Sequence, residues 1–239
     1  MVHVIGFDLD DTLLQLSSDF IPTYMKTLST YMDEEFPDKA PLADAFLNIS
    51  TRMMQKPCDN EWLEDFFYRG FEEDTGLSRN DIERPLQEFY AKPFATLRRL
   101  SSPVFGVTGL LATLRAKGYR VALLTSALFP KKAIDWRLEW AGLEGFSFDW
   151  RTSLETVHTT KPQPDYYREA AEMMHSDPSE WLMVGNNLIE DIIPAHTAGM
   201  AVWWAQALLT PQEIARLPTG AEHGSMARVI PWLSSHTHR

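Results

Sequence analysis

VIGFDLDDTLL, residues 4–14, is the stretch that decides the fold. An apolar run rich in β-branched residues, residues 2–7, is typical of a buried strand in a parallel sheet. Three carboxylates, Asp8, Asp10 and Asp11, follow this run directly. Acids placed so close together ionise together only where a proton, a cation or open water relieves their repulsion. The turn after this strand is therefore a candidate functional site.

From about residue 101 onward, strand and helix patterns alternate. The patterns predict strands over residues 119–124, 146–150, 181–184 and 200–204, helices over residues 107–117, 131–141, 165–175 and 190–198, and two weak amphipathic pieces in the tail. Repeated βα units predict an α/β fold with a doubly wound, Rossmann-like parallel sheet. Ligands of such sheets bind beyond the carboxyl ends of the strands.

Polar residues stand at these strand ends. They are Asp8 to Thr12, Thr125 with Ser126, and Asn186 to Asp191, while Lys161 lies in a loop before a helix. We expect these groups, which are far apart in the sequence, to converge on one edge of the sheet.

The segment between the first two predicted strands has a helical pattern. Apolar residues recur there at spacings of three and four, as in Leu42, Phe46, Ile49 and Met53, and again in Trp62, Leu63, Phe66 and Phe67. We therefore predict an α/β core domain formed by residues 1–15 and 101–239, and an inserted all-helical domain formed by residues 16–100.

Composition and charge exclude several classes of partner. The 239 residues carry a formal charge of −11, and no stretch concentrates Lys and Arg as nucleic-acid binding requires. The apolar runs are too short to span a bilayer, so no membrane partner is expected. Cys58 is the single cysteine, which excludes an internal disulfide and fits a reducing compartment. We expect a cytoplasmic protein, either a monomer or a homodimer.

Four short motifs carry a resemblance to a known family. Residues 8–12 fit the pattern D-x-D-x-T, and they are followed in order by residues 121–125, by Lys161-Pro162 and by residues 184–191. In this order the motifs resemble those of the haloacid dehalogenase superfamily, in particular its phosphatase branch. The resemblance implies that residues 16–100 form a helical cap between the first and second motifs.

The first motif supplies the reacting carboxylates. A carboxylate on a tight turn can attack phosphorus and form an aspartyl-phosphate, and Asp8, the first residue after the strand, is the candidate nucleophile. By resemblance, Asp10 is the general acid and base, and its backbone carbonyl faces the metal. Asp11 is expected to be a solvated turn residue, and Thr12 to brace the turn.

The other motifs are expected to bind the phosphoryl group and a metal ion. The hydroxyl of Thr125, the backbone N–H of Ser126 and the ammonium of Lys161 are the candidate phosphate-binding groups. A phosphate ester beside several acids needs a hard cation, so Mg²⁺ is the expected cofactor, bound by Asp8, Asp10, Asn186 and Asp191.

The fourth motif departs from the family. It usually reads Gly-Asp, whereas here it reads Gly185-Asn186. An amide oxygen ligates Mg²⁺ without adding charge, which predicts weaker metal binding. Glu190, beside Asp191, is a possible compensating acid or a solvated helix-start residue.

The substrate is expected to be a small phosphate ester. Within residues 16–100, Arg52, Lys56 and Arg69 are candidates for contacting a second anionic group of that substrate. By resemblance, an acid at position 10 argues against the dehalogenase and phosphonate-cleaving branches. A phosphomutase that acts on a sugar phosphate and a catalytically weak binding or regulatory protein remain open alternatives.

Overall fold

A central parallel sheet organises the computed structural model, which describes residues 1–236. Within that range the strands are β1 (Val4–Phe7), β2 (Leu14–Leu16), β3 (Ser101–Pro103), β4 (Arg120–Leu123), β5 (Trp150–Arg151), β6 (Trp181–Gly185), β7 (Ala201–Trp204) and β8 (Glu222–His223). Six of them form one sheet in the order β5-β4-β1-β6-β7-β8, and all pairs are parallel. The chain extends from central β1 to both sides, which confirms the predicted doubly wound α/β fold.

α-Helices occur both in the predicted insertion and in the part of the chain that forms the sheet. They are α1 (Phe20–Glu35), α2 (Ala43–Gln55), α3 (Leu63–Thr75), α4 (Arg79–Ala91), α5 (Val107–Ala116), α6 (Lys131–Trp140), α7 (Pro164–Met173), α8 (Ile193–Thr197), α9 (Pro211–Arg216) and α10 (Val229–His236). A 3₁₀ segment, Phe94–Leu100, follows α4. Across residues 1–236, no helix combines the length and the apolar character needed to cross a membrane.

The four helices α1–α4, called the inserted helices below, leave and rejoin the core at one place. Strand β2, just before them, pairs antiparallel with β3, just after them. This two-stranded ribbon lies at the predicted boundary between the core and the insertion. The predicted apolar stripe of α2 is its buried face, because Phe46, Ile49 and Met53 are each at most 4% exposed.

Two predicted elements differ from the structure. The strand predicted over residues 146–150 was wrong for residues 146–149, since β5 begins at Trp150. Of this segment only Asp149 bonds to the neighbouring strand through its backbone, its N–H donating to the Val121 carbonyl at 2.8 Å, while the carbonyl of Ser147 accepts from the side chain of Arg115. The carboxylate of Asp149 in turn accepts from the Val121 N–H at 2.7 Å.

The helix predicted over residues 190–198 begins earlier, as a π-helical turn at Leu188–Ile192, and continues as α8. Asn187 explains this start, because its side-chain oxygen accepts hydrogen bonds from the backbone N–H groups of Ile189 and Glu190.

Candidate active site

Three neighbouring strands deliver the candidate residues to one edge of the sheet. Asp8 directly follows β1, Thr125 lies two residues after β4, and Asn186 directly follows β6. Backbone hydrogen bonds hold these ends in register, since the Asp8 N–H donates to the Val184 carbonyl at 3.0 Å. The turn of residues 8–12 and the later motifs therefore face the same crevice at the carboxyl ends of the strands.

Lys161 links two of the motifs. Its Nζ lies 2.7 Å from Oδ1 of Asp8 and 2.5 Å from Oδ1 of Asp191. All three side chains are at least nine-tenths buried. Burial opposes the charge of Lys161, but Asp191 and Asp8 outweigh it and raise the pKa of the lysine well above its usual value. The lysine is thus a fixed cation beside the candidate nucleophile.

Asp191 uses both carboxylate oxygens within the protein. Oδ1 accepts from Lys161, and Oδ2 accepts from the Asn187 N–H at 2.9 Å. Burial raises the pKa of Asp191, while the neighbouring Lys161 lowers it. Gly185 makes room for this carboxylate, because a Cβ atom there would lie only 2.3 Å from Oδ2. In this arrangement Asp191 positions Lys161.

Arg137 of α6 is the partner of Asp10, a contact that the sequence reasoning missed. Its Nη1 lies 2.5 Å from Oδ2 of Asp10, and the arginine side chain is completely buried. The guanidinium also lies over the ring of Phe129, 4.2 Å from the ring centroid. Burial raises the pKa of Asp10 to about 6, and Arg137 acts in the opposite direction. The available signal was an arginine on the buried face of α6, in register with Ala133 and Ile134.

Thr125 presents a buried hydroxyl without a protein partner. Among the described residues, nothing hydrogen-bonds to its Oγ1, although the residue is 1% exposed. Its carbonyl, in contrast, accepts from the hydroxyls of Tyr166 at 2.7 Å and Thr152 at 3.0 Å. Leaving a buried hydroxyl unpaired costs about 1–3 kcal/mol. A bound ligand oxygen at this position would remove that cost.

The donor next to Thr125 is the backbone N–H of Ser126. The following N–H, that of Ala127, is already committed, because it donates to Oγ1 of Thr160 at 2.9 Å. Of these consecutive groups, the Thr125 hydroxyl and the Ser126 N–H are the ones that can donate a hydrogen bond to a ligand oxygen.

The remaining residues of the first turn have structural contacts. Asp11 is exposed, and its carboxylate accepts from Gln15 Nε2 at 2.6 Å and from the Leu16 N–H at 2.9 Å. Thr12 donates from Oγ1 to Oδ1 of Asn186 at 3.3 Å, which joins the first motif to the fourth. These contacts agree with the expected roles of Asp11 in the turn and of Thr12 in bracing it.

The oxygen atoms at this edge fit a hard cation, with few negative charges to bind it. Within the described part of the chain, no three Asp, Glu, His or Cys side chains cluster in a way that could hold a metal ion. Asp8 offers a carboxylate and Asn186 an uncharged amide oxygen, while Asp191 is occupied by its hydrogen bonds. The donor types suit Mg²⁺, whose protein ligands are oxygens.

The cations predicted in the insertion are engaged elsewhere. Arg52 contacts Glu73 at 2.8 Å and Asp74 at 3.3 Å, and Lys56 contacts Asp59 at 2.6 Å. Arg69 likewise pairs with Glu61 and Glu73. Acids of the insertion thus neutralise these cations, and the suggestion that they contact substrate remains a prediction.

The loop that carries Lys161 is bonded to the inserted helices. Thr159 donates from its hydroxyl to the Lys56 carbonyl at 2.7 Å, and Gln163 donates from Nε2 to the Met54 carbonyl at 2.9 Å. His158, whose Nδ1 lies 2.7 Å from Glu169, stacks on Trp62 with the ring centroids 3.9 Å apart. His158 therefore takes part in packing the insertion against the core.

Comparison with known proteins agrees with this geometry. The pyrophosphatase PpaX of Bacillus cereus (strain B4264) is 27% identical over 208 residues, which are 85% of this chain and 84% of PpaX. A crystal structure of a HAD phosphatase from Thermococcus onnurineus superposes with a TM-score of 0.58 and 21% identity, covering 98% of each chain. A 2-haloacid dehalogenase from Pseudomonas syringae pv. tomato DC3000 gives a TM-score of 0.61 and 22% identity, covering 98% of this chain and 99% of the other. These two structures share the fold.

The family model of the haloacid dehalogenase-like hydrolases matches residues 5–205. This range contains all four motifs and the whole insertion, and the predicted resemblance and the predicted hydrolase activity are confirmed. The chain, with its doubly wound sheet and its Asp8 turn, belongs to the haloacid dehalogenase-like hydrolase family.

Proposed function

We propose that the protein is a Mg²⁺-dependent phosphatase that hydrolyses a small phosphorylated metabolite through an aspartyl-phosphate. The observation that carries this proposal is the ammonium of Lys161, 2.7 Å from Asp8, in a buried crevice that also holds the unpartnered hydroxyl of Thr125. A fixed cation and hydroxyl and N–H donors suit the oxygens of a phosphoryl group. A carboxylate among them suits attack on phosphorus.

In the first step, an oxygen of Asp8 attacks phosphorus and the bond between phosphorus and the leaving oxygen breaks. Lys161 bonds to Oδ1 of Asp8, so Oδ2 is the atom assigned to the attack. Asp10 transfers its proton to the leaving oxygen, which departs as an alcohol. The pKa of Asp10, raised by burial to about 6, allows a protonated population near neutral pH.

In the second step, water attacks the phosphorus of the aspartyl-phosphate. Asp10 takes a proton from that water, the phosphorus–oxygen bond to Asp8 breaks, and inorganic phosphate leaves. Thr125, Ser126 and Lys161 hold the phosphoryl oxygens through both steps. The inserted helices act as a cap that excludes bulk water while the intermediate exists.

Asp8, the backbone carbonyl of Asp10 and the amide of Asn186 are the groups assigned to Mg²⁺. Asp191, which was also predicted as a metal ligand, accepts hydrogen bonds on both carboxylate oxygens and contributes charge through Lys161, 2.5 Å away. When bound, Mg²⁺ neutralises the repulsion between the phosphoryl oxygens and the carboxylates. Phosphatases of this family generally use a divalent metal ion, and the relative PpaX is named a pyrophosphatase, both of which support the proposal.

Phosphate release from a panel of phosphorylated metabolites, with and without Mg²⁺, tests the proposal. Asp8→Asn should abolish phosphate release, and a chelator should reversibly abolish phosphate release by the wild type. Asp11→Asn is the matched control, because Asp11 lies in the same turn and its carboxylate, among residues 1–236, hydrogen-bonds to Gln15 and Leu16 alone. This control should retain activity.

Three outcomes contradict the proposal. Release that survives Asp8→Asn would exclude Asp8 as the nucleophile. Conversion of a sugar phosphate into its isomer, without net phosphate release, would identify a phosphomutase. No turnover of any panel member would favour a binding or regulatory protein.

A further inference from the structure

A cavity of about 140 Å³ lies between the inserted helices and the core. Its walls come from all four inserted helices and from the loops after β4 and β5, and they combine apolar side chains, among them Phe46, Phe67 and Leu128, with polar ones such as Ser50, Tyr68 and Gln87. Because both loops follow the carboxyl ends of strands, the cavity lies beside the edge of the sheet that carries the Asp8 turn.

The walls of the cavity are neighbours of the catalytic residues, although those residues are not themselves among its lining. Leu128, on its wall, lies two residues after Ser126, whose N–H is assigned to the phosphoryl group. On the other side, the ring of Tyr24 lies 5.1 Å from that of Phe129, which packs under Arg137, the partner of Asp10. The cavity therefore lies close to the catalytic residues, on the side of the inserted helices.

We infer that this cavity receives the leaving alcohol of the substrate, and that this alcohol carries an uncharged, apolar or aromatic body of about one ring. The inference rests on the proposed phosphatase function. The size follows from the volume, because an apolar protein cavity of about 150 Å³ accepts benzene. The chemical class follows from the apolar side chains of the walls, because burying an apolar group against them is favourable.

The charged groups at the cavity exclude a second anion. Three carboxylates line it, those of Glu64, Glu83 and Glu155, against one cation, Lys132. Glu64 and Glu83 share Arg79, which lies 3.2 Å and 3.1 Å from them. Glu155 accepts from the N–H of Lys131 at 2.9 Å. A carboxylate or second phosphate on the leaving group would therefore meet net negative charge.

The test compares phosphates of primary alcohols, which differ in the body and share the leaving atom. We expect kcat/KM for 2-phenylethyl phosphate to exceed that for ethyl phosphate and phosphoglycolate by at least about tenfold. Phe67→Ala should lower the value for 2-phenylethyl phosphate at least about fivefold and leave that for ethyl phosphate within about twofold.

Phe66→Ala is the matched control, because Phe66 neighbours Phe67 on α3, is also half-buried, and lies outside the cavity wall. It should leave the ratio of the two values unchanged. A second measurement needs no turnover: saturation-transfer NMR should show 2-phenylethanol bound to the wild type and to Phe66→Ala, and not to Phe67→Ala.

The results separate this inference from the proposed function. Two results would overturn the cavity assignment without contradicting the proposed phosphatase function. One is phosphate release with no preference for the substrate that carries the ring. The other is a Phe67→Ala variant whose kcat/KM falls equally for 2-phenylethyl phosphate and ethyl phosphate. Binding of 2-phenylethanol that does not compete with 2-phenylethyl phosphate would also overturn it, since the ring would then occupy a separate site. No release from any substrate would overturn the phosphatase proposal itself.

Discussion

Replacing Arg137 by methionine should destabilise the protein by an amount that grows with pH. Arg137 is completely buried, and its Nη1 contacts Asp10 at 2.5 Å. Methionine keeps a long apolar side chain over Phe129 but leaves the Asp10 carboxylate without its cation. Removing one partner of a buried ion pair costs about 3–5 kcal/mol when the remaining charge cannot be neutralised. The Asp10 carboxylate can bind a proton and become neutral, which limits the loss in the free energy of unfolding.

The limit follows from the pKa of Asp10, which burial has raised from 3.8 to about 6. At pH 6 about half of the wild-type carboxylate is still protonated in the folded protein, and from about pH 7 upward it is ionised in both the folded and the unfolded protein, so its contribution to stability is then constant. Without Arg137 the pKa rises further, and the folded variant retains a proton that the unfolded chain has lost. Stability then falls as pH rises, by at most about 1.4 kcal/mol per pH unit, until the new pKa is reached.

Urea unfolding of the chelator-treated protein at pH 6, 7 and 8 measures this effect. Between the wild type and Arg137→Met, the difference in the free energy of unfolding should widen by at most about 1 kcal/mol from pH 6 to pH 7, because the wild-type carboxylate is still losing its own proton there, and by up to about 1.4 kcal/mol from pH 7 to pH 8. Arg151→Met is the control, because Arg151 pairs with Asp135 at 2.8 Å on a half-exposed surface. Its loss should cost about 0–1 kcal/mol at every pH.

The double variant Asp10→Asn/Arg137→Met identifies the group responsible. An amide at position 10 cannot titrate, so the double variant should show no additional slope between pH 6 and pH 8. A slope that persists in the double variant, or a cost for Arg137→Met that is the same at pH 6 and pH 8, would refute the assignment of Arg137 as the electrostatic partner of Asp10.

Three further substitutions test the site and the insertion. Asn186→Asp adds a charged oxygen and should lower the Mg²⁺ concentration for half-maximal phosphate release; an unchanged requirement would contradict the assignment of Asn186 to the metal. Gly185→Ala places a Cβ atom 2.3 Å from Asp191 Oδ2 and should cost about 1–3 kcal/mol in thermal unfolding, whereas Gly145→Ala, with no atom within 4 Å, should cost less. Ser78→Ala removes the capping box of α4 and should lower the unfolding free energy by about 1 kcal/mol, as urea denaturation would show.

The sheet could be predicted because its strands are buried on both faces. Residues 4–7 and 181–185 are completely buried runs, so they read as continuous apolar segments bounded by polar turns. The prediction of a strand over residues 146–150 failed for the opposite reason. There the ring centroids of Phe146 and Phe148 lie 4.8 Å apart, and the side chain of Arg115 binds the Ser147 carbonyl, which composition does not reveal.

The positions of site residues could be predicted where strand ends fix them. Asp8, Thr125 and Asn186 meet because parallel strands end at one edge, which depends only on strand assignment. Arg137 could not be placed this way, since 127 residues separate it from Asp10 and the contact depends on how α6 packs. The presence of cations in the insertion was likewise not enough to predict which of them are free to contact a substrate, because Arg52 and Lys56 each form an ion pair with a neighbouring acid.

Each of the three acids of the first turn is compensated differently. Lys161 neutralises Asp8, Arg137 neutralises Asp10, and exposure with two hydrogen bonds accommodates Asp11. In the buried site as a whole, the carboxylates of Asp8, Asp10 and Asp191 face two cations, which leaves one negative charge. An aspartate at position 186 would add a second uncompensated charge to the metal-free protein, whereas asparagine keeps the site close to neutral. The same amide that weakens the expected Mg²⁺ site thus lowers the electrostatic cost of folding without the metal.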